Sequence, residues 1–514
     1  MLLKWTTVTL ILFGLLSACS RSLPTLDQRT VSQSLSAAEA ANTAIGDTVA
    51  PLLQEHAGKS GVLNLAEAKD AFAARLLLAG AAEQTLDVQY YLWRDDKTGL
   101  LLMQALYAAA ERGVRVRLLL DDLNTSPIDN KLAALDQHSN IEVRLFNPFI
   151  NRSNRVWGFI SDFPRANRRM HNKSFTADSS ATIVGGRNVG DDYFSGADGV
   201  LFADLDVLAI GPVVKQVATD FDLFWASPSS YPAREFQRQP DVDEYEYSMQ
   251  LIHSRQEETV TYLAAVRDRE LFRKLLNGGV QLNWAITKMV SDSPAKGLGK
   301  ASPEQLITHE LQEIIGDPTR SVQLVSPYFV PTQAGVNALV AMARQGVEIS
   351  ILTNSLQATD VAIVHAGYAK WRKPLLEAGI RLYEMRPGIV APEPDENRLP
   401  RFASAATSLH AKTFAIDGER VFIGSFNFDP RSAELNTELG FVIESKELAE
   451  ETARIFAEEV PKQAYELRLS ASGRMYWLER NTGQHVRHDR EPGTSFGQRL
   501  SVRFFSWLPI DWLL

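Results

Sequence analysis

The hydrophobic and polar positions divide much of this chain into short alternating units. Leu65, Ala68, Phe72, Leu76 and Ala79 recur at helical spacing, which predicts an amphipathic helix over 65–84 with Asn64 as its cap and Glu67 three residues on. The run Thr85 to Trp93 predicts a strand. A helix over 99–112 then stops at Gly113, and a strand over 114–120 runs into Asp121-Asp122. The same strand-helix-strand unit recurs downstream. A strand over 321–326 leads into Pro327-Tyr328-Phe329, a helix over 332–344 stops at Gly346, and a strand over 347–352 runs into Thr353-Asn354. Repetition at this scale predicts two duplicated lobes rather than a solenoid. Helical crossovers predict mostly parallel, mixed sheets flanked by helices, so the expected fold class is α/β.

This patterning places lobe 1 at 66–235, linker helices at 236–280 and lobe 2 at 281–465. The flanking segments are a leader at 1–18, a tether at 19–65 and a tail at 466–514. The stretch 227–246, rich in Ser, Pro and charge, reads as linker, and the Pro-rich stretch 386–402 as a surface loop or lid. The chain has 514 residues, 45% hydrophobic and 22% charged, with a formal net charge of -9. That balance gives no global pull toward nucleic acid. The single cysteine, Cys19, excludes intrachain disulfides and a Cys-rich metal site.

The N-terminus combines Lys4 with an apolar run over 8–16 that is too short to span a bilayer and suits a secretory leader. Leu16-Ser17-Ala18-Cys19 resembles a bacterial lipoprotein processing site. The resemblance implies cleavage before Cys19 and acylation of its thiol, with each buried CH2 adding roughly 0.8 kcal/mol of anchoring. The expected location is the cell envelope, anchored and facing the periplasm. Ser20 favours the outer membrane over the inner.

The chemistry is carried by a doubled motif. Met170-His171-Asn172-Lys173 continues through Asp178 to Gly185-Gly186-Arg187-Asn188. Leu409-His410-Ala411-Lys412 continues through Asp417 to Gly424-Ser425-Phe426-Asn427 with identical spacing. Residues two apart on a strand share a face, so His171 and Lys173 point together, as do His410 and Lys412. A turn at each Asp brings Asn188 or Asn427 back beside the pair. Imidazole can attack phosphorus, ammonium groups neutralise the developing charge, and a second imidazole can protonate the leaving alcohol. A carboxylate on each His would fix its tautomer. Asp204 in lobe 1 and Glu438 in lobe 2 are the candidates. No metal or cofactor is required.

The paired motifs resemble the phospholipase D superfamily. That resemblance implies a site between two pseudo-symmetric lobes, with His171, Lys173, Asp178, Asn188, His410, Lys412, Asp417 and Asn427 as the catalytic set and Asp204, Ser425 and Glu438 in support. It implies one His as nucleophile and the other as acid, His171 being favoured for the first role. The usual small hydroxyl residue is present as Ser425 and replaced by Gly186 in the first motif. Leu86-Asp87-Val88-Gln89-Tyr90-Tyr91, Val364-His365-Ala366-Gly367-Tyr368, Phe428-Asp429-Pro430-Arg431-Ser432 and the ending from Leu508 are similar to the bacterial cardiolipin synthase C branch. The branch implies phosphatidylglycerol as acceptor, phosphatidylethanolamine or a second phosphatidylglycerol as donor, and a membrane surface as the place of work.

Arg152, Arg155, Arg165, Arg168 and Arg169, interleaved with aromatic residues before His171, suit phosphate and a lipid interface, or single-stranded nucleic acid. The segment from Phe496 reads either as a piece lying on a membrane or as a tail packed on the body. His365, Tyr368 and Trp371 fall near one helix face, where core is the commoner role. Hydrolysis of phospholipids is the alternative activity, ahead of nuclease action and of a non-catalytic lipid-binding module. No nucleic acid partner is expected, and the sequence names no protein partner.

Overall fold

The computed structural model describes residues 23–27, 29–152, 154–195, 201–237, 240–253, 257–276, 279–359, 361–388, 408–481, 484–508 and 511. Cys19, the leader, most of the stretch 386–402 and Trp512 to Leu514 lie outside them.

Lobe 1 contains β1 (Ser60–Leu65), β2 (Thr85–Tyr90), β3 (Arg115–Asp121), β4 (Ile141–Phe146), β5 (Ser174–Ala177), β6 (Ala181–Gly185), β7 (Phe202–Ala203), β8 (Asp206–Ile210) and β9 (Ser230–Pro232). Lobe 2 contains β10 (Asn283–Ser291), β11 (Ser321–Val325), β12 (Glu348–Asn354), β13 (Arg381–Met385), β14 (Ser408–Leu409), β15 (Thr413–Ile416), β16 (Arg420–Gly424), β17 (Leu439–Glu444), β18 (Ala464–Leu469), β19 (Met475–Asn481) and β20 (Gln484–His488).

The two sheets share one topology. In lobe 1 the strands run β9-β4-β3-β2-β5-β6-β8-β1. In lobe 2 they run β18-β13-β12-β11-β15-β16-β17-β10, with β19 and β20 added beyond β18. Both sheets are mixed, but parallel pairing is narrower than expected. It covers β2-β3-β4 and β11-β12-β13, where helices supply the crossovers. The motif hairpins β5-β6 and β15-β16 impose antiparallel pairing on the rest.

The sheets join edge to edge where β1 meets β10, with Ser60, Gly61 and Val62 opposite Ala285, Trp284 and Asn283. Gly61 leaves room at this seam for the Leu282 and Trp284 side chains, since a Cβ there would lie 2.8 Å from Leu282 Cδ1 and 3.0 Å from the Trp284 ring. One apolar cluster crosses the seam, uniting Val62, Val184 and Val207 with Ala285, Ile423 and Phe441. Lobe 1 has its own core under the helices Ala68–Ala81 and Lys97–Glu111. Lobe 2 has another around Ile349, Ile351 and Leu382.

Five expectations are corrected. Asn64 is not a helix cap. It lies in β1, which pairs with β8 on one side and β10 on the other, and the helix begins at Ala68 after Glu67. Tertiary pairing here overrides a local capping signal. Residues 230–232, expected as linker, pair with β4. The linker helices Val242–His253 and Glu257–Arg267 send Met249, Ile252, Tyr262 and Val266 into the lobe 1 core. The expected tail is half sheet, because β18 to β20 extend lobe 2 before a last helix, Phe496–Phe505. The described part of the tether is also docked: Arg117 donates to Ser32 O at 2.9 Å, and Val49 packs with Ala181 and Ile210.

Candidate active site

Each motif is seated by the end of a parallel strand. Asp121, closing β3, accepts the Met170 N–H at 2.8 Å. Asn354, closing β12, holds Leu409 at both its N–H and its C=O, each at 2.9 Å. The next residue in each case is the motif histidine.

The backbone then crosses between lobes. Met170 pairs with Thr437, and the His171 N–H donates to Thr437 O at 2.8 Å. In lobe 2, β14 pairs with β7, setting Leu409 opposite Ala203, and the His410 N–H donates to Ala203 O at 2.7 Å. Each crossing places a histidine beside the acid of the opposite lobe. His171 Nδ1 lies 2.8 Å from Glu438 Oε2, and His410 Nδ1 lies 2.5 Å from Asp204 Oδ2. Asp204 and Glu438 therefore both meet a histidine, in crossed pairs. With Nδ1–H given to a carboxylate, each ring keeps Nε2 for chemistry.

The two acids differ in their surroundings. Glu438 accepts the Ser425 hydroxyl at 2.5 Å on Oε2 and the Ser432 hydroxyl at 2.7 Å on Oε1. Its backbone N–H donates to Asp292, which also holds Lys296 Nζ at 2.8 Å. Burial pushes the Glu438 carboxyl up to about 7, against the pull of Lys173. Burial also acts to raise Asp204, but the neighbouring His410, Lys412 and Arg187 hold it below the usual carboxylate range. Gly186 sits against Asp204, and a Cβ on it would lie 2.1 Å from Asp204 Oδ1. The shorter acid occupies the space that a hydroxyl side chain fills in lobe 2, which accounts for the departure from Ser.

Lys173 Nζ donates to His171 O at 2.6 Å, and Lys412 Nζ donates to His410 O and lies 2.9 Å from His410 Nδ1. Burial lowers Lys173 to about 7. Burial, then Lys173 and Lys412, holds His171 well below its ordinary value, so this ring rests neutral. Burial and Lys412 also lower His410, against the pull of Asp204. Lysines of both lobes thus act on both imidazoles, which places the two pairs in one buried site. Asn188 Nδ2 donates to the Tyr193 hydroxyl at 2.9 Å. Oδ1 of Asn188 and Oδ1 of Asn427, at matched positions of the two motifs, are both buried without a hydrogen-bond partner.

Asp178 and Asp417 are not brought to the site. Both occupy the left-handed turns that close the motif hairpins, with φ of 50° and 56°. Asp178 accepts the N–H groups of Glu83, Gln84 and Thr85, and Asp417 those of Thr319, Arg320 and Ser321. They clamp each hairpin to the start of β2 or β11, about 15 Å along the strand from the lysine.

The arginines before His171 are also engaged internally. Arg152 and Arg155 bind Asp122 and Asp129, Arg165 binds Asp162, and Arg169 binds Asp121. Arg168 donates to Glu434 O at 2.8 Å. They order the loop leading to the histidine. His365 is core: it meets Glu491 at 2.7 Å and Arg372 at 2.6 Å, and Arg372 reaches Glu384 at 2.7 Å. His365, Glu384 and Glu491 converge closely enough to suggest metal ligands, but the Arg372 guanidinium already supplies the cation there.

Sequence reasoning missed Tyr91 and Tyr193. The Tyr91 ring meets His171 edge-on at 5.0 Å and lies 5.5 Å from Lys173 Nζ, while Tyr193 meets His410 at 5.2 Å. Tyr193 lies five residues after Asn188, in the first turn after the motif, and that spacing was a usable signal. Asp292 and Lys296 had none, since they act from outside both motifs.

Residues 77–225 and 311–460 both match the family model described as cardiolipin synthase, phospholipase D-like domain. The chain belongs to this family. The two matched spans fall one in each lobe. Among cardiolipin synthase relatives, cardiolipin synthase C of Escherichia coli is 51% identical over 474 residues, covering 91% of this chain and 99% of that protein. Cardiolipin synthase 1 of Staphylococcus epidermidis is 25% identical over 384 residues, covering 74% of this chain and 63% of that protein. Among solved structures, phosphatidylserine synthase of Haemophilus influenzae superposes with a TM-score of 0.52 at 11% identity, covering 86% of this chain and 91% of that one. That likeness shows a shared fold.

Proposed function

We propose that this chain is a phosphatidyltransferase that makes cardiolipin through a phosphohistidine. The carrying observation is the crossed pairing, in which each imidazole is oriented through Nδ1 by the other lobe's carboxylate, keeps Nε2 for chemistry and has its motif lysine beside it. The 51% identity to a cardiolipin synthase over nearly the whole chain supports the substrate class.

The differing acids support distinct roles for the two histidines. His171, resting neutral, attacks phosphorus of the donor lipid through Nε2. The bond from phosphorus to the headgroup oxygen breaks, and His410, entering the cycle as an imidazolium steadied by ionised Asp204, gives its Nε2 proton to that oxygen. Lys173 and Lys412 neutralise the non-bridging oxygens. A hydroxyl of phosphatidylglycerol then gives its proton to His410 and attacks phosphorus. The P–N bond breaks, releasing cardiolipin and restoring His171. The donor is phosphatidylethanolamine or a second phosphatidylglycerol, releasing ethanolamine or glycerol. The work takes place at a membrane surface of the cell envelope, with Cys19 acylated and the chain facing the periplasm, on the outer membrane in preference to the inner.

The test is lipid analysis in cells lacking cardiolipin. Wild type is expected to restore it, and His171→Ala and His410→Ala to yield none. Phosphatidic acid as the only product would replace the synthase reading with hydrolysis. Cys19→Ser is expected to be released from the membrane fraction by a high-salt, alkaline wash that wild type withstands, and equal resistance of the two to that wash would remove the anchor.

A further inference from the structure

The last helix, Phe496–Phe505, has two apolar faces. The inner one is satisfied by the body: Val502 and Phe505 pack on Leu356, Ala366 and Ala369. A capping box of Ser495 and Gln498 fixes its start, and Lys370 holds Asp511 at 2.7 Å just beyond its end. Among the described residues, none covers the outer face. Phe496 is 74% exposed, Leu500 56%, Phe504 58% and Trp507 75%. Continued to Trp507, these residues fall within an arc of roughly 80° at 3.6 residues per turn. Arg499 and Arg503 border the same arc, Arg503 lying 5.7 Å from the Trp507 ring centre. Between Glu491 and Asp511 the sequence has no acidic residue, in a chain whose net charge is -9.

We infer that this outer face docks onto an anionic phospholipid bilayer, with the aromatic and Leu side chains entering the headgroup boundary and Arg499 and Arg503 meeting lipid phosphates. Three observations choose the bilayer over a protein. The stripe is basic at its border and apolar at its centre, the pattern that suits an anionic lipid surface. Its four large side chains offer about 500 Å², below the roughly 800 Å² per partner of a stable protein interface. The helix is already held rigidly on its other side, so docking orders little and presents a preformed face. The inference extends the lipid-transfer reading by naming the part of the protein that meets the membrane, and it rests on that reading only for the presence of a bilayer.

The experiment uses the full chain and Trp507→Phe with vesicles of phosphatidylglycerol and phosphatidylcholine whose acyl chains carry bromine, a collisional quencher. Wild type is expected to lose more tryptophan fluorescence than Trp507→Phe. That difference should disappear in vesicles of phosphatidylcholine alone. Leu500→Asp with Phe504→Asp should weaken phosphatidylglycerol-dependent quenching about tenfold in lipid concentration, while transfer in detergent micelles stays within about twofold. Equal quenching of wild type and Trp507→Phe would overturn the docking, and so would a concentration-dependent dimer dissolved by Leu500→Asp. Equal quenching on both vesicle types would overturn the anionic preference. Quenching without any cardiolipin formed would leave the docking standing and sink the synthase reading, so the two failures are separable.

Discussion

His171 and Glu438, 267 positions apart and in different lobes, form a hydrogen bond of 2.8 Å between Nδ1 and Oε2. His410 and Asp204 mirror it across 206 positions at 2.5 Å. Each imidazole takes its orientation from the lobe it does not belong to.

Glu438→Gln and Asp204→Asn keep the shape of the pair but lose the charge that steadies the ring. Each is expected to reduce phosphatidyl transfer by roughly a thousandfold while the fold is retained. Rates on defined vesicles, with circular dichroism for the fold, check this. Activity within tenfold of wild type would remove the orienting role.

Gly186 and Ser425 occupy matched positions with opposite constraints. Gly186→Ser has no room beside Asp204 Oδ1 and is expected to displace that acid, lowering activity by about a hundredfold or more. Ser425→Ala removes one hydroxyl from Glu438, worth about 1–2 kcal/mol, or roughly tenfold in rate. The two variants are compared in one assay, and the order of their effects is the prediction.

Lys173 sits at about 7 in the ligand-free protein because of its burial. A group lowered from its ordinary value is charged below that point and neutral above it. The kcat/KM for lipid is therefore expected to fall as pH rises through about 7. Lys173→Arg, which keeps its charge, should flatten that limb at lower overall activity. A pH profile unchanged by the substitution would assign the limb to another group, Glu438 first among them.

Asp178→Ala and Asp417→Ala should act on stability and not on chemistry. Each removes a carboxylate that accepts several backbone N–H groups, so a loss of about 2–4 kcal/mol is expected, read as a lower melting temperature. Turnover per folded molecule should stay within about threefold of wild type. A wild-type melting temperature with no turnover would return both residues to the catalytic set.

The duplicated lobes were legible because the same strand-helix-strand pattern recurs, each helix stopped by a glycine at Gly113 or Gly346, and because alternation fixes which residues share a face with His171 and His410. Asp204 and Glu438 were legible as acids at the start of a strand. Their crossing was not, since it depends on a backbone contact between Met170 and Thr437 that no local pattern encodes. The arginines before His171 misled for a related reason. Asp121, Asp122 and Asp129, which neutralise four of the five together with Asp162, lie mostly on other elements. Asn64 carried a sound capping signal that two neighbouring strands overruled.

The crossed carboxylates also set a schedule. As the chain emerges from the N-terminus onward, lobe 1 can complete its own sheet and core, yet His171 has no acid until Glu438 arrives and Asp204 has no imidazole until His410 does. A product truncated anywhere before Glu438 leaves His171 without its orienting acid and is expected to transfer no lipid. Reactivity toward lipid switches on only when synthesis is nearly finished and both halves have closed on each other.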